Sequence, residues 1–128
     1  YILPIPGQVV LPNGSVIIAK LVDQPKRPDR HQWIGSLNSI PLPLHIRTRK
    51  DGDRMRVEGL SGRKKIKDIF IDAKVPRRQR DTWPLVTDDQ GDIVWLVGLR
   101  RGELFNGKSA SYILLEYKDG KGVENFHA

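Results

Sequence analysis

The chain has 128 residues, of which 29% are charged and 38% hydrophobic, so it can bury a core and is not composed like a disordered protein. It carries 22 Lys and Arg against 15 Asp and Glu, a net charge of +7, and has no cysteine, which excludes disulfides and thiolate metal sites. Its longest apolar run, about residues 93–99, is too short to cross a bilayer, and its first residues lack the pattern of a signal peptide. We therefore expect a cytoplasmic protein with no membrane partner.

The first predicted element is a β-hairpin. Two β-branched runs flank Asn13-Gly14, a dipeptide that tolerates the positive φ of a tight turn, and the second strand is predicted from about Ser15 to Val22. Residues 23–31 are polar and contain two prolines, which predicts a loop.

Residues 44–58 are predicted to form two short strands. Apolar and polar residues alternate from Leu44, so Leu44, Ile46 and Thr48 face a core while the residues between them face outward. After a "KDGDR" turn, Met55 and Val57 continue the apolar face in a second strand. We predict that these two strands pair with each other in antiparallel fashion.

A helix is predicted after the glycine-containing loop 59–62. Ile66, Ile69, Phe70 and Ala73 recur at the spacing of one helical face, with Lys64 and Lys67 on the opposite side. Within this helix Lys64 can pair with Asp68 one turn later. Pro76 ends the helix and begins a short turn that projects Arg77, Arg78 and Arg80.

The C-terminal part is predicted to be β-structure. Residues 83–101 have the pattern of a hairpin around an Asp-Asp-Gln-Gly turn, and residues 111–117 that of a last strand before a turn and a frayed tail. The carboxylates Asp88, Asp89 and Asp92 could form an acid/base or Mg²⁺ cluster, but Asp is common in turns and we favour the structural interpretation.

No catalytic or metal-binding motif is present. His31, His45 and His127 are scattered through a loop, a strand and the tail, without the spacing that would bring metal ligands together. The sequence contains no GxGxxG, GxxxxGKS or GxSxG pattern. We therefore predict no catalytic residue, no metal and no cofactor in this chain.

The positive charge is concentrated in one segment. Residues 46–80 contain 13 basic and 5 acidic residues, a net of +8, so the rest of the chain carries a net charge of −1. Arginine offers a planar fork that matches phosphate oxygens, and basic residues on successive elements favour contacts with the phosphates of a DNA or RNA duplex over a merely solvated face. Trp33, Trp83 and Trp95 could stack on bases but are predicted to lie in the core.

The same stretch closely resembles the C-terminal domain of bacterial tRNA(Ile)-lysidine synthetase. The resemblance covers roughly residues 44–101 and is specific, because many unlike residues agree in order and spacing. The matching residues are Arg47, Thr48, Arg49, Gly52, Asp53, Arg54, Gly62, Lys64, Lys65, Lys67, Asp68, Phe70, Ile71, Asp72, Lys74, Pro76, Arg77, Arg80, Asp81, Pro84, Leu85, Trp95, Gly98 and Arg100.

The resemblance implies a fold and a parent activity. The expected fold is α+β, a layered domain with an antiparallel β-sandwich, several hairpins and one or two short helices, similar to a domain of the phenylalanyl-tRNA synthetase β subunit. The parent enzyme would use ATP and Mg to attach lysine to the wobble cytidine of isoleucine tRNA. Its S-G-G-x-D-S phosphate loop is absent here, and the sequence starts at Tyr1 rather than Met, so we expect a catalytically inactive fragment of a larger enzyme.

The resulting hypothesis is a single tRNA-binding domain over residues 1–128, with its recognition segment at 46–80, that holds the acceptor-stem side of isoleucine tRNA. Its predicted RNA-binding residues are Lys64, Lys65, Lys67, Arg77, Arg78 and Arg80, with Arg47, Arg49, Arg54, Arg100 and Arg101 extending the patch. One alternative is a structural module that packs on the remaining domains of the parent enzyme and contacts RNA little, for which an exposed Ile71 would argue. The other is a free-standing hydrolase built on Asp88, Asp89 and Asp92.

Overall fold

The structure is a computed structural model that describes residues 1–102 and 109–120. Within these residues the chain forms eleven strands and two short helices. In chain order they are β1 (Ile2–Leu3), β2 (Gly7–Val10), β3 (Val16–Val22), β4 (Gln32–Ser36), β5 (Leu44–Arg47), β6 (Arg54–Arg56), β7 (Arg63–Lys65), α1 (Ile66–Asp72), α2 (Arg77–Arg80), β8 (Leu85–Thr87), β9 (Ile93–Leu96), β10 (Arg100–Arg101) and β11 (Tyr112–Lys118). The predicted α+β class, with antiparallel hairpins and short helices, is confirmed.

The chain divides into two compact units. The first unit contains Tyr1–Ile2 and the described residues from 41 to 102, and the second contains residues 3–40 and 109–120. Each unit has its own β-structure and its own buried side chains. The basic segment, residues 46–80, lies entirely within the first unit.

The first unit is built on a sheet with the strand order β1-β5-β8-β9-β10. Every residue of β8 and β9 is buried. The hairpin β6–β7 forms a separate two-stranded sheet, and Met55 from this hairpin joins Ile66, Ile69 and Phe70 of α1 in one hydrophobic cluster. Burying each of these side chains contributes about 1.5–3 kcal/mol, so the cluster holds both the hairpin and the helix in place.

The second unit is a four-stranded sheet with the order β2-β3-β11-β4. The central strand β11 pairs with β3 along its whole length and with β4 from Tyr112 to Glu116. Trp33, Ile113 and Leu115 are completely buried in this unit. The predicted hairpin at Asn13-Gly14 is confirmed, since β2 pairs with β3 and Gly14 has a φ of 87°.

The predicted pairing between the strands at 44–47 and 54–57 is wrong. Each strand exists, and Leu44, Ile46, Met55 and Val57 are buried as expected. However, β5 pairs with β8, while Tyr1 exchanges backbone hydrogen bonds with Ile46 on the same strand. Because β5 is occupied by partners from distant parts of the chain, β6 pairs instead with β7.

The predicted helix is shorter at its N-terminus than the sequence pattern indicated. Residues 63–65 form β7, and α1 begins at Ile66. Lys64 therefore lies on a strand and forms an ion pair with Asp72 instead of the predicted pair with Asp68. Thr48, predicted to face the core, is exposed beyond the end of β5, and Ala73 is exposed at the C-terminus of α1.

Candidate nucleic-acid interface

A groove of about 710 Å³ lies in the first unit among the elements that carry the basic segment. Its walls come from the turn after β5, from the junction of β7 with α1, and from α2. Seven cationic and three acidic residues line it, together with two isoleucines. These residues define the cationic groove: Arg49, Lys50, Asp51, Gly52, Asp53, Arg54, Lys65, Ile66, Lys67, Ile71, Arg77, Arg80 and Asp81.

The turn that forms one wall is held by Asp53. Its carboxylate accepts two hydrogen bonds from the Arg47 guanidinium, at 2.8 and 3.0 Å, and one from the backbone N–H of Lys50 at 2.7 Å. Burial raises the pKa of Asp53, but the hydrogen bonds from Arg47 and Lys50 outweigh it and leave the pKa below its usual value. Gly52, with a φ of 83°, provides the left-handed residue of this turn. The "RTRKDGDR" stretch is thus a rigid turn that presents Arg49, Lys50 and Arg54.

A second wall is formed where β7 becomes α1. The backbone N–H of Ile66 donates to the carbonyl of Asp53, which ties the start of α1 to the turn. Lys65 and Lys67 flank the buried Ile66 and are exposed. Burial of the Ile66 side chain therefore directs Lys65 and Lys67 toward solvent at the groove.

The third wall is the four-residue helix α2, which follows Pro76 as predicted. Arg77 is exposed, whereas Arg80 is partly buried and its Nε donates to the carbonyl of Val75 at 2.9 Å. Arg49 reaches from the turn toward this helix, where its Nε lies 3.0 Å from Asp81, and its guanidinium lies 5.5 Å from the centre of the Phe70 ring. Such cation–π contacts contribute about 0.5–1 kcal/mol at exposed sites.

Most cations of the groove form no ion pair in the described part of the chain. Five of them form no ion pair with any residue that the structure describes: Lys50, Arg54, Lys65, Lys67 and Arg77. Their positive charges are exposed to solvent and close together, which makes a surface complementary to a polyanion.

The predicted RNA-binding residues fall into two groups. Six of them line the groove: Arg49, Arg54, Lys65, Lys67, Arg77 and Arg80. Five do not line it: Arg47, Lys64, Arg78, Arg100 and Arg101. Sequence reasoning omitted Lys50 from the candidates, although its position between Arg49 and the Asp51-Gly52 turn could have indicated it.

The five residues outside the groove have different surroundings. Arg47 and Lys64 are engaged with Asp53 and Asp72. Arg101 pairs with Glu58, its Nε lying 3.1 Å from Oε2, whereas Arg78 and Arg100 are exposed. An arginine already bound to a carboxylate would lose that bond on binding phosphate, so Arg47 is better suited to shaping the turn than to contacting a ligand.

Other candidate residues have structural surroundings. Asp88 is buried in the β8–β9 turn, where its Oδ1 accepts hydrogen bonds from the backbone N–H groups of Gln90 and Asp92. His31 is exposed, His45 lies 3.5 Å from Asp89, and His127 lies outside the described residues, as does the predicted frayed tail from 121. Within the described ranges, no group of three His, Cys, Asp or Glu side chains could hold a metal ion.

The tryptophans are placed as predicted. Trp33 and Trp95 are buried, and Trp83 is partly buried with its indole N–H donating to the carbonyl of Val97 at 2.8 Å. Because their side chains are buried, Trp33 and Trp95 are unable to stack on bases. No helix in the described part of the chain is both long enough and apolar enough to span a membrane.

The fold and the groove together define an α+β protein whose first unit carries a concentrated cationic surface. A model of the TilS substrate C-terminal domain family matches residues 44–115, more than half of the sequence. The chain belongs to this family, and the resemblance inferred from the motifs is confirmed.

Curated relatives agree with this assignment. The chain is 49% identical over 121 residues to a tRNA(Ile)-lysidine synthase of Oceanobacillus iheyensis, an alignment that covers 92% of this chain and 26% of that protein. It is 44% identical over 120 residues to the tRNA(Ile)-lysidine synthase of Geobacillus kaustophilus, covering 91% of this chain and 26% of that protein. The chain thus spans about a quarter of the length of the curated relatives it matches.

The chain is also similar to solved structures. A crystal structure of a TilS C-terminal domain superposes with a TM-score of 0.84 at 43% identity, covering 91% of this chain and 93% of that one. An N-terminal fragment of the phenylalanyl-tRNA synthetase β subunit from Pyrococcus horikoshii matches with a TM-score of 0.55 at 11% identity, covering 67% of this chain and 27% of that one. The second likeness concerns the fold alone, and it agrees with the fold expected from the sequence.

Proposed function

We propose that this chain is the tRNA-binding accessory domain of a tRNA(Ile)-lysidine synthetase and holds the acceptor-stem side of isoleucine tRNA in the cationic groove. The observation that carries the proposal is the group of five groove cations that form no ion pair with a residue in the described chain. Phosphate groups of an RNA backbone would supply the missing negative charge and release bound counterions. Residues 1–128 act as one tRNA-binding domain in this proposal.

The chemistry belongs to other parts of the polypeptide. The whole protein would be an ATP-dependent, cytoplasmic ligase that joins lysine to the wobble cytidine of isoleucine tRNA. The S-G-G-x-D-S motif does not occur in these 128 residues, so ATP and Mg²⁺ would be bound by the remaining domains. The accessory domain would then bind and orient the tRNA. Holding the tRNA in this way would keep the reacting nucleotide in position for the chemical step.

The surroundings of the groove favour recognition of a duplex backbone. The groups offered to RNA are the guanidinium and ammonium groups on the three walls of the groove, whereas the Trp33 and Trp95 side chains are buried. Double-stranded RNA is read mainly through its shape, phosphates and 2′-hydroxyls because its deep major groove excludes side chains. A cationic groove between short elements suits a stem better than an unstacked single strand.

The decisive experiment titrates this chain with an acceptor-stem minihelix of isoleucine tRNA and, separately, with an unrelated RNA hairpin. If about six phosphates are neutralised, affinity should fall about 10³-fold between about 50 and 200 mM salt. Preference for the cognate stem would show that the domain reads it, and equal binding would show a phosphate clamp without selectivity. Absence of salt-dependent binding to either RNA would overturn the proposal.

Substitutions in the basic segment provide the first specific prediction. The Lys64→Ala/Lys67→Ala double variant should bind the minihelix more weakly and with a flatter salt dependence. The structure separates the two residues, because Lys67 lines the groove unpaired whereas Lys64 is engaged with Asp72. Lys67→Ala alone should therefore lower the salt slope by about one, and Lys64→Ala by less. Equal effects of the two single variants would argue against the groove as the binding surface.

One observation favours a second candidate function. Ile71 lines the groove and is 48% exposed, so the groove could instead pack against another domain of the parent enzyme. In that case this chain would contact RNA little, and the minihelix titration would show no binding at low salt. The same experiment thus separates the two candidates.

A further inference from the structure

The hairpin β6–β7 presents four cations on its outer face. Met55 at the centre of β6 is 2% exposed and packs into the core, so its neighbours Arg54 and Arg56 point outward. Across the hairpin, Arg54 is paired with Lys65 and Arg56 with Arg63, and all four residues are exposed. Residues directly opposite each other in an antiparallel pair lie on the same face.

This arrangement opposes folding. Side chains in such cross-strand pairs have Cβ atoms about 4.5–5.5 Å apart, and like charges directly opposite each other destabilise the sheet. None of the four forms an ion pair with a residue in the described ranges, and Glu58, two residues beyond Arg56, is engaged by Arg101. No ion pair in the described protein therefore offsets the repulsion within these two facing pairs of cations. A bound polyanion would supply the negative charge that offsets it.

The hairpin also continues the cationic groove. Arg54 and Lys65 line the groove and form the first cross-strand pair of the hairpin, while Arg56 and Arg63 form the second pair, outside the groove. Residues two apart on a strand are separated by about 6.6 Å, which is similar to the separation of successive phosphates along a nucleic-acid strand. The two cation pairs are thus spaced so that each could meet a different phosphate.

We infer that the outer face of the β6–β7 hairpin is a second phosphate-binding surface, on which Arg56 and Arg63 hold the RNA backbone where it leaves the groove. This inference rests on the proposed function, because it extends the same RNA contact. The guanidinium groups would bind phosphate oxygens in a planar, forked geometry and would carry no base selectivity. The packing of Met55 keeps the hairpin in place, so these contacts would need little reordering on binding.

The test is the Arg56→Ala/Arg63→Ala double variant, titrated with the acceptor-stem minihelix across the same range of salt. The salt slope should fall by about two and the affinity at low salt by about tenfold, to a similar extent for the cognate and unrelated RNA. Thermal unfolding without RNA should be unchanged or shifted upward, since a like-charge pair is removed. The Arg56→Lys/Arg63→Lys variant, which keeps both charges, should retain most of the salt slope.

A charge-matched control removes two cations elsewhere. Lys26→Ala/Arg27→Ala lowers the net charge equally, in the exposed loop 23–31, and should leave the slope nearly unchanged. If the hairpin variant and this control weaken binding equally, the effect is one of net charge and the inference is overturned. If the hairpin variant binds like wild type while Lys67→Ala binds more weakly, the groove binds RNA without the hairpin and the inference is overturned. If wild type itself shows no RNA binding, the proposed function fails and the inference with it.

Discussion

Lys74 occupies a backbone conformation that normally belongs to glycine. It follows α1 with a φ of 58°, and the backbone N–H groups of Lys74 and Val75 donate to the carbonyls of Ile71 and Phe70. This is the hydrogen-bond pattern of a helix that ends in a left-handed residue, where glycine is preferred because it has no Cβ. A non-glycine residue there carries about 1–2 kcal/mol of strain.

Replacing Lys74 by glycine should stabilise the chain. Relief of the strain exceeds the extra entropy of a glycine in the unfolded chain, so Lys74→Gly should raise the free energy of unfolding by about 0.5–1 kcal/mol. Chemical denaturation measures this change in the free energy of unfolding. Lys74→Ala is the matched control, because it removes the charge but keeps the Cβ and should give no gain. A Lys74→Gly variant no more stable than Lys74→Ala would contradict this account of the helix end.

At the scale of an element, the β8–β9 turn depends on one carboxylate. The side chain of Asp88 is buried and accepts backbone hydrogen bonds of 2.9 and 3.0 Å across the turn, while Asp89 and Asp92 are exposed. Burial raises the pKa of Asp88, although these hydrogen bonds act against the rise. The three aspartates that could have been a catalytic cluster therefore have unequal structural roles.

Substitutions in this turn should separate those roles. Asp88→Ala leaves two backbone donors without their partner and should lower the free energy of unfolding by about 1–3 kcal/mol. Asp89→Ala and Asp92→Ala should change it by less than about 0.5 kcal/mol. Thermal or urea unfolding of the three variants measures the difference. Equal losses in all three, or none for Asp88→Ala, would show that the turn is held in another way.

At the scale of the whole molecule, each unit contains a carboxylate whose pKa is lowered. Burial of Asp53 opposes the effect, but Arg47 and the Lys50 backbone lower its pKa below the usual 3.8. Lys20 lowers the pKa of Glu116 below the usual 4.5, against the effect of burial. A lowered pKa in the folded state means that the unfolded state binds protons first, so the stability from these groups is complete above their unfolded pKa values and is lost as the pH falls below them.

Acidification should therefore destabilise both units. Between about pH 6 and pH 3 the wild-type unfolding temperature should fall, partly through Asp53 and Glu116. Asp53→Asn and Glu116→Gln should each be less stable than wild type at pH 6 and lose less stability on acidification. The pKa of Asp88 is raised, so this group changes stability with pH in the opposite direction. Because Asp88 is present in wild type and in both variants, it does not affect the comparison between them. Parallel pH profiles for wild type and Asp53→Asn would exclude the Arg47–Asp53 contact as a source of acid sensitivity.

Local patterns in the sequence were sufficient for much of the secondary structure. Asn13-Gly14 indicated its hairpin because only a few residue types tolerate a positive φ, and the spacing of Ile66, Ile69 and Phe70 indicated the buried face of α1. The pairing of β5 with β8 and of β6 with β7 could not be obtained in this way. Alternation specifies which face of a strand is buried, but not which other strand supplies its hydrogen bonds.

The sequence by itself determined where positive charge accumulates, because the count of Lys and Arg in residues 46–80 does not depend on the fold. Only the tertiary structure decided which of these charges form ion pairs and which do not. Arg49 meets Asp81 across 32 residues and Arg101 meets Glu58 across 43, whereas Arg54 and Lys65 come together without an acid between them. Ion pairs form over a few ångströms, and chain folding sets those distances independently of separation along the sequence.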